Sequence, residues 1–513
     1  MQKNKKWGSK WLLVLLALAL VVSACSSEKA EEPSAGGEGA SKGGDDGPFE
    51  ISISLNFDGQ DIPEPDNPVQ KAIEEYTNTK LNINYVPGNA YQERLSTMIA
   101  SGDMPQVVAS YGPPKQSFLL SAFQNDVFWD ISPYIEEFPN LSKLNPIIYE
   151  NVSFQGGIYG LPRERPLARD AFIYRADWLE KLGMKEPETI DEFYEMLVAF
   201  RDQDPDGNNQ NDTYGLSTGN LGGSNPQPNM YAVFMGAPNV WEVDEDGKFT
   251  RDVFHPAYLE GLKFQRRLYE EGLMHPDFAV MDRPKIEGEF TTGKAGVLLN
   301  TTNTALTYEA RLKQTIPDAE VSFFSILSAN GEKRVPASLG SNGILMFPKS
   351  SVPTEEELKR ILTFFDKLGD QEMVDLLAWG IEGVHHEIVD GKPQIIDHEK
   401  YDREVTYPYK FVLSVIAPDN LKTPGHEHRL VLKEIEVTTD NTNYLVNNPA
   451  NPLVSQTQVE RGGELEQIIR DANTKFIMGV IDEDEWKAEM DRWWSLGGEQ
   501  IARELEEEWK KTQ

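Results

Sequence analysis

The stretch ISISLNFDGQDIPEPDNPVQKAIEEYTNTKLNINYVPGNAYQERLSTMIASGDMPQVVA, residues 51–109, decides the fold class. Ile51–Phe57 alternates apolar and polar side chains at the period of a strand. Asn67 offers a cap and Pro68 a pre-set first turn, which predicts a helix with Val69, Ile73 and Tyr76 on one face. Leu81–Val86 then predicts a second strand. Tyr91, Leu95, Met98 and Ile99 predict a second helix, and Gln106–Ala109, behind Pro105, a third strand. This β-α-β-α-β order predicts an open α/β layer with a substantially parallel sheet.

Downstream, GIYGLP (157–162) predicts the strand that opens a second unit, followed by AFIYRADWLEKLG (171–183). Thr189 and Glu192 fit a capping box at the start of a helix over 189–200, with Phe193, Met196, Leu197 and Phe200 as its buried stripe. Ile501, Leu505 and Trp509 recur every four residues near the C-terminus, a spacing that predicts a core-facing helix rather than a ligand site. No internal repeat is present.

Upstream, Lys3, Lys5, Lys6 and Lys10 precede an uncharged run from Trp11 to Ala24, the pattern of an export signal over residues 1–24. Val22-Ser-Ala24 stands directly before Cys25 and resembles the bacterial lipobox. That resemblance implies cleavage before Cys25 and lipid modification of the cysteine, with several palmitate-type acyl chains on the one residue. Residues 26–48, SSEKAEEPSAGGEGASKGGDDGP, are too polar to bury a core and predict a flexible tether behind the lipidated cysteine. Signal, anchor and tether together predict a working domain on the extracellular face of the cell membrane.

The chain carries 49 Lys plus Arg against 83 Asp plus Glu, a formal charge of −34, which excludes nucleic acid as a partner because phosphate backbones need a basic surface. Cys25 is the only cysteine, so neither an internal disulfide nor a cysteine metal cluster can form.

Four segments carry a family resemblance: YQERLSTMIASGDMPQVV (91–108), GIYGLPRERPLARDAFIYRADWLEKLG (157–183), FTTGKAGVLLN (290–300) and WGIEGVHHEIVDGK (379–392). In this order they resemble the family 1 extracellular solute-binding lipoproteins of bacterial carbohydrate ABC importers. The resemblance implies a two-lobed, type II periplasmic-binding-protein-like fold, with residues 49–162 plus 340–380 in one lobe and 163–339 plus 381–513 in the other. It further implies a monomer without catalytic activity that traps an oligosaccharide in the interlobe cleft and delivers it to ABC permease subunits.

Residues 202–213 (DQDPDGNNQNDT) space oxygen side chains at alternate positions, the pattern a hard cation such as Ca2+ needs. By resemblance to the family's DPDGN loop, Asp204, Asp206, Asn208 and Asp212 are side-chain ligands, Gln210 lends its carbonyl, and Asn209 takes the sharp-turn position. A competing register starts at Asp202 with Gly207 at the turn, and a solvated Asx-rich turn is the plain alternative. Calcium here would be structural.

Three apparent catalytic motifs fail on context. Gly288–Lys294 imitates a phosphate loop, yet Ala295 replaces the hydroxyl residue and strand-like GVLLN follows. Gly215-Leu-Ser217-Thr-Gly219 imitates a nucleophile elbow, yet NLGGSNPQP follows instead of a helix. His426-Glu-His428 has no evident third metal ligand.

A saccharide cleft needs aromatic platforms and polar rims. The candidates are Tyr111 after the third strand, Arg163 and Arg165 at the first lobe crossing, Trp241, Asn300 after GVLLN, Asn342, Trp379 and His385. Core packing or a surface salt bridge is the alternative for each. Arg163, Arg165, Arg169 and Arg175 form a basic cluster in a very acidic chain, which suggests a ligand bearing carboxylates, as uronic-acid saccharides do. A cell-surface glycoside hydrolase and a binder of peptide or another solute are the competing functions.

Overall fold

The computed structural model describes residues 47–59, 62–64, 66–219 and 230–512. The export signal, Cys25 and nearly all of the tether lie outside these residues. Pro48–Gln513 is one compact unit. Among the described residues no helix is long and apolar enough to cross a membrane.

The opening stretch folds as its pattern predicts. Ile51, Ile53 and Leu55 are buried in the strand Phe49–Phe57. The Asn67 carboxamide accepts from the Val69 amide at 2.8 Å and starts the helix Pro68–Thr77. Thr79–Pro87, the helix Gly88–Ser101 and the short strand Val107–Ala109 complete the unit. The first sheet runs in the order Thr79–Pro87, Phe49–Phe57, Val107–Ala109, Ser341–Met346, Leu161–Glu164. Its first three members are parallel, and Ser341–Met346 is antiparallel to both of its neighbours. GIYGLP is only partly a strand, because extended pairing begins at Leu161 and runs on through Arg163.

The second sheet orders Val321–Phe324, Asp170–Arg175, Ala295–Thr301 and Tyr214–Ser217. Only its last pair is parallel, so the substantially parallel layer expected from the sequence is confined to the first lobe. The Thr189 capping box closes as predicted, with bonds of 3.1 Å in each direction between Thr189 and Glu192.

Two large apolar cores correspond to two lobes. One gathers residues from Ile51 to Leu167, Ile344 to Leu377 and Tyr401 to Val415. The other gathers Phe172 to Leu327 and Leu453 to Leu505. The boundary expected from the sequence needs two corrections: residues 163–167 and 401–415, assigned to the second lobe, belong to the first, since Arg163 and Glu164 complete its last strand and Leu167 joins its core. For 401–415 the contacts give the reason. Tyr85 donates to the Pro408 carbonyl at 3.0 Å, Asn67 to the Glu404 carbonyl at 3.0 Å, and Tyr409 to the Gln70 side chain at 3.3 Å. Ile501 and Leu505 are buried and Trp509 packs edge-on against Phe249, so the C-terminal helix belongs to the core as its spacing predicts.

Candidate functional site

In open α/β sheets, ligands gather beyond the carboxyl ends of the strands, where loops from several strands converge. In the first lobe those ends carry Asn56 and Asp58, Ser110 and Tyr111, and Arg163. Arg163 is fully buried and ties the ends of Phe49–Phe57 and Val107–Ala109 to the start of Ser341–Met346. It donates to Asn56 Oδ1 at 3.0 Å, to the Ser110 carbonyl at 2.8 Å and to the Asn342 carbonyl at 2.5 Å. Its Nε lacks a partner among the described residues. Burial pushes its guanidinium down to about 10, against the opposing pull of Tyr91, Tyr111 and Asp58. Gly343 makes this convergence possible: its φ is +96°, and a Cβ there would stand 2.3 Å from the Ser110 carbonyl oxygen.

Two residues on, Arg165 donates to the carbonyls of Glu164 at 2.6 Å and Phe411 at 3.1 Å, and its guanidinium lies 5.5 Å from the centre of the Phe411 ring. Burial first, then repulsion from Arg169 and Arg163, pushes Arg165 down to about 9. Among the described residues neither Arg163 nor Arg165 pairs with a carboxylate; their acceptors are all neutral. Tyr111 stands nearby with 41% of its surface exposed.

The remaining candidates are placed elsewhere. Asn342 contributes its carbonyl to Arg163. Asn300 is buried in its strand, donating to the Tyr308 hydroxyl at 2.6 Å and accepting from the Thr301 amide at 2.8 Å. Trp241 is buried against Phe249 and Trp493, so its ring packs a core instead of walling a cleft. Trp379 is likewise buried, its Nε1 donating to the Thr423 carbonyl at 3.0 Å beneath the Lys422 ammonium. His385 has no exposed surface: its Nδ1 accepts from the Ile381 amide at 3.0 Å, and its Nε2 faces Glu404 at 3.2 Å. Arg175 is committed to Asp177 and to the face of Trp178. Of the eight ligand candidates, then, Tyr111, Arg163, Arg165 and Asn342 are brought together, while Trp241, Asn300, Trp379 and His385 serve packing.

Sequence reasoning missed two groups. Tyr407 and Phe411 form an aromatic pair beside Arg165, with ring centres 5.9 Å apart and an interplanar angle of 87°. The aromatic density of YPYKF (407–411) was a usable signal, hidden by assigning the segment to the other lobe. Glu434 accepts from the Thr302 hydroxyl at 2.9 Å, and burial raises its carboxyl to about 7.

The oxygen-rich loop closes on itself. Asn208 Nδ2 donates to Asp206 at 2.8 Å and to Asp212 at 3.0 Å, while the Asn208 and Asn209 amides donate to the two oxygens of Asp204 at 3.0 and 3.1 Å. Lys294 pairs with Asp212. Burial, and then the neighbouring Asp204 and Asp212, pushes the Asp206 carboxyl up. Asn209 has a φ of 60° and Gly207 of 75°, so both possible turn positions are left-handed. Asp202 pairs with Arg201 at 2.6 Å. In this arrangement no three His, Cys, Asp or Glu groups among the described residues stand ready to hold a metal. The side chains of Asp204, Asp206, Asn208 and Asp212 and the Gln210 carbonyl all offer oxygen, the donor type a hard cation takes, and the Asn208 amide bridges Asp206 and Asp212.

The apparent catalytic motifs are accounted for. Ser217 is buried and donates to the Ile286 carbonyl at 2.9 Å, and the segment after Gly219 lies outside the described residues. Gly288–Lys294 joins the helix Arg283–Thr291 to the strand Ala295–Thr301, the reverse of a phosphate loop. His428 caps the helix Arg429–Asn441, and His426 bonds the Val389 carbonyl at 2.9 Å.

Residues 60–373 match the family model described as bacterial extracellular solute-binding protein. The chain is 36% identical over 518 residues to the polygalacturonan/rhamnogalacturonan-binding protein YtcQ of Bacillus subtilis (strain 168), covering 98% of this chain and 100% of that one. It is 32% identical over 510 residues to lipoprotein LipO of the same organism, covering 97% of each. Among solved structures, an HMO-binding, ABC-transporter-associated solute-binding protein of Bifidobacterium longum infantis superimposes with a TM-score of 0.69 at 17% identity, over 91% of this chain and 99% of that one. That likeness speaks for the two-lobed fold.

Proposed function

The chain belongs to the bacterial extracellular solute-binding protein family, and we propose that this member captures an acidic oligosaccharide and hands it unaltered to the permease of an ABC importer. The family consists of binding proteins, not enzymes. The observation that carries the acidic reading is Arg165, a part-exposed guanidinium with only neutral acceptors at the strand ends of a chain with 83 acidic residues, held beside the buried Arg163. A carboxylate is the partner guanidinium chemistry fits best, because two parallel N–H donors match two oxygens. YtcQ, named for polygalacturonan and rhamnogalacturonan, adds support, since polygalacturonan is a chain of sugar carboxylates.

Calorimetry of thermal unfolding with oligogalacturonides and neutral galacto-oligosaccharides of equal length tests the reading. Selective binding to the folded state raises the melting temperature, with about 2.7 kcal/mol gained at a hundredfold excess over Kd. No shift with any acidic saccharide, or cleavage of the sugar on prolonged incubation, overturns it.

Lipid-modified Cys25 would hold the protein, as a monomer, at the extracellular face of the cell membrane; the signal pattern and the lipoprotein LipO support the anchoring. Recovery of Cys25→Ala in the membrane fraction would speak against it. Ca2+ bound by Asp204, Asp206, Asn208, the Gln210 carbonyl and Asp212 would fasten the helix Ile190–Asp202 to the strand Tyr214–Ser217.

A further inference from the structure

Residues 402–410 form a wide, π-helical turn with Pro408 inside it, continued by Phe411–Leu413. Wide turns of this kind interrupt regular helix hydrogen bonding and concentrate at functional sites. The inner face of the turn is committed to the first core through Val405, Tyr409, Val412 and Leu413. Its outer face shows Tyr407, half-buried, and Phe411, 38% exposed. An exposed aromatic ring alone needs no explanation. Here it has a specific neighbour: Arg165 lies over one face of Phe411 and donates to its backbone carbonyl, while Tyr407 stands perpendicular to that ring. Burial raises the hydroxyls of both Tyr111 and Tyr407, with Asp58 adding to the shift at each and Asp402 at Tyr407.

We propose that Tyr407, Phe411 and Arg165 form one subsite for a single uronate ring. This rests on the reading of the ligand as an acidic saccharide. A pyranose uronate has an apolar C–H face and a carboxylate at its rim. The perpendicular rings offer an apolar corner for the face. Arg165 has committed N–H groups to two carbonyls and keeps others for the carboxylate, held in place by its stacking on Phe411. Arg165 itself makes no ion pair among the described residues, so a carboxylate at the rim of the ring would be its first charged partner.

Titration calorimetry on the full chain with trigalacturonate and its carboxyl-reduced, neutral counterpart tests the assignment. Arg165→Gln should weaken trigalacturonate about tenfold or more and the neutral sugar far less, since the neutral sugar has no carboxylate for the guanidinium to hold. Arg165→Lys, which keeps the charge and guards against a folding defect, should weaken trigalacturonate by about fivefold. Tyr407→Ala and Phe411→Leu should weaken both sugars by about the same factor, on the order of fivefold, because each removes apolar ring contact. A wild-type chain that binds neither sugar rejects the acidic-saccharide reading itself. Wild-type binding with an unchanged ratio of acidic to neutral affinity in Arg165→Gln overturns the subsite alone.

Discussion

Arg163 shows how a residue singled out for ligand contact can be the support beneath a site. It lies below the surface, and its three acceptors belong to three different strand ends. Arg163→Gln leaves buried carbonyls without donors, and urea unfolding should register a loss of about 2–4 kcal/mol. Glu434 gives the corresponding prediction in pH. Its folded carboxyl is raised to about 7 by burial, while the Thr302 bond and Arg169 oppose the shift. Between the ordinary glutamate range and about 7 the folded protein retains a proton that the unfolded chain has released. The contribution of this site is therefore full at low pH and lost as pH climbs through about 7. Melting temperatures from pH 5 to pH 8 should fall more steeply in the wild type than in Glu434→Gln; parallel curves would refute the assignment.

At the level of elements, the strand Ser341–Met346 and the oxygen-rich loop are the sensitive pieces. Gly343→Ala forces a methyl group against the Ser110 carbonyl at a positive φ and should cost roughly 2–4 kcal/mol. The loss should be accompanied by weaker ligand binding, because the Arg163 acceptors Ser110 and Asn342 flank the glycine. The loop makes a different prediction. Adding Ca2+ to chelator-treated protein should raise the melting temperature, and Asp206→Asn, which weakens the oxygen cage, should reduce that rise. Identical melting with and without chelator would leave the loop an Asx-rich turn closed by Asn208 and Lys294.

Across the whole molecule, the cores meet through the crossings and through contacts such as Lys115, which donates to the carbonyls of Ala450 at 3.2 Å and Leu453 at 2.7 Å. A ligand held by both lobes favours the closed arrangement only as far as it binds that arrangement better. Small-angle scattering should show a smaller radius of gyration with trigalacturonate and no change with glucose; no change with either would separate binding from closure. By itself the sequence determined the order of strands and helices in the first unit, the Asn67 and Thr189 caps, the leader pattern and the family, because periodicity and capping act over a few neighbouring residues. Only the tertiary structure decided that 401–415 joins the first lobe, that Trp241, Trp379 and His385 are packing residues, and that Tyr407 and Phe411 stand beside Arg165. Each of those outcomes depends on partners distant in the chain, such as Glu404 beside Asn67 and Phe411 beside Arg165, and no local pattern encodes which distant segment will supply the contact.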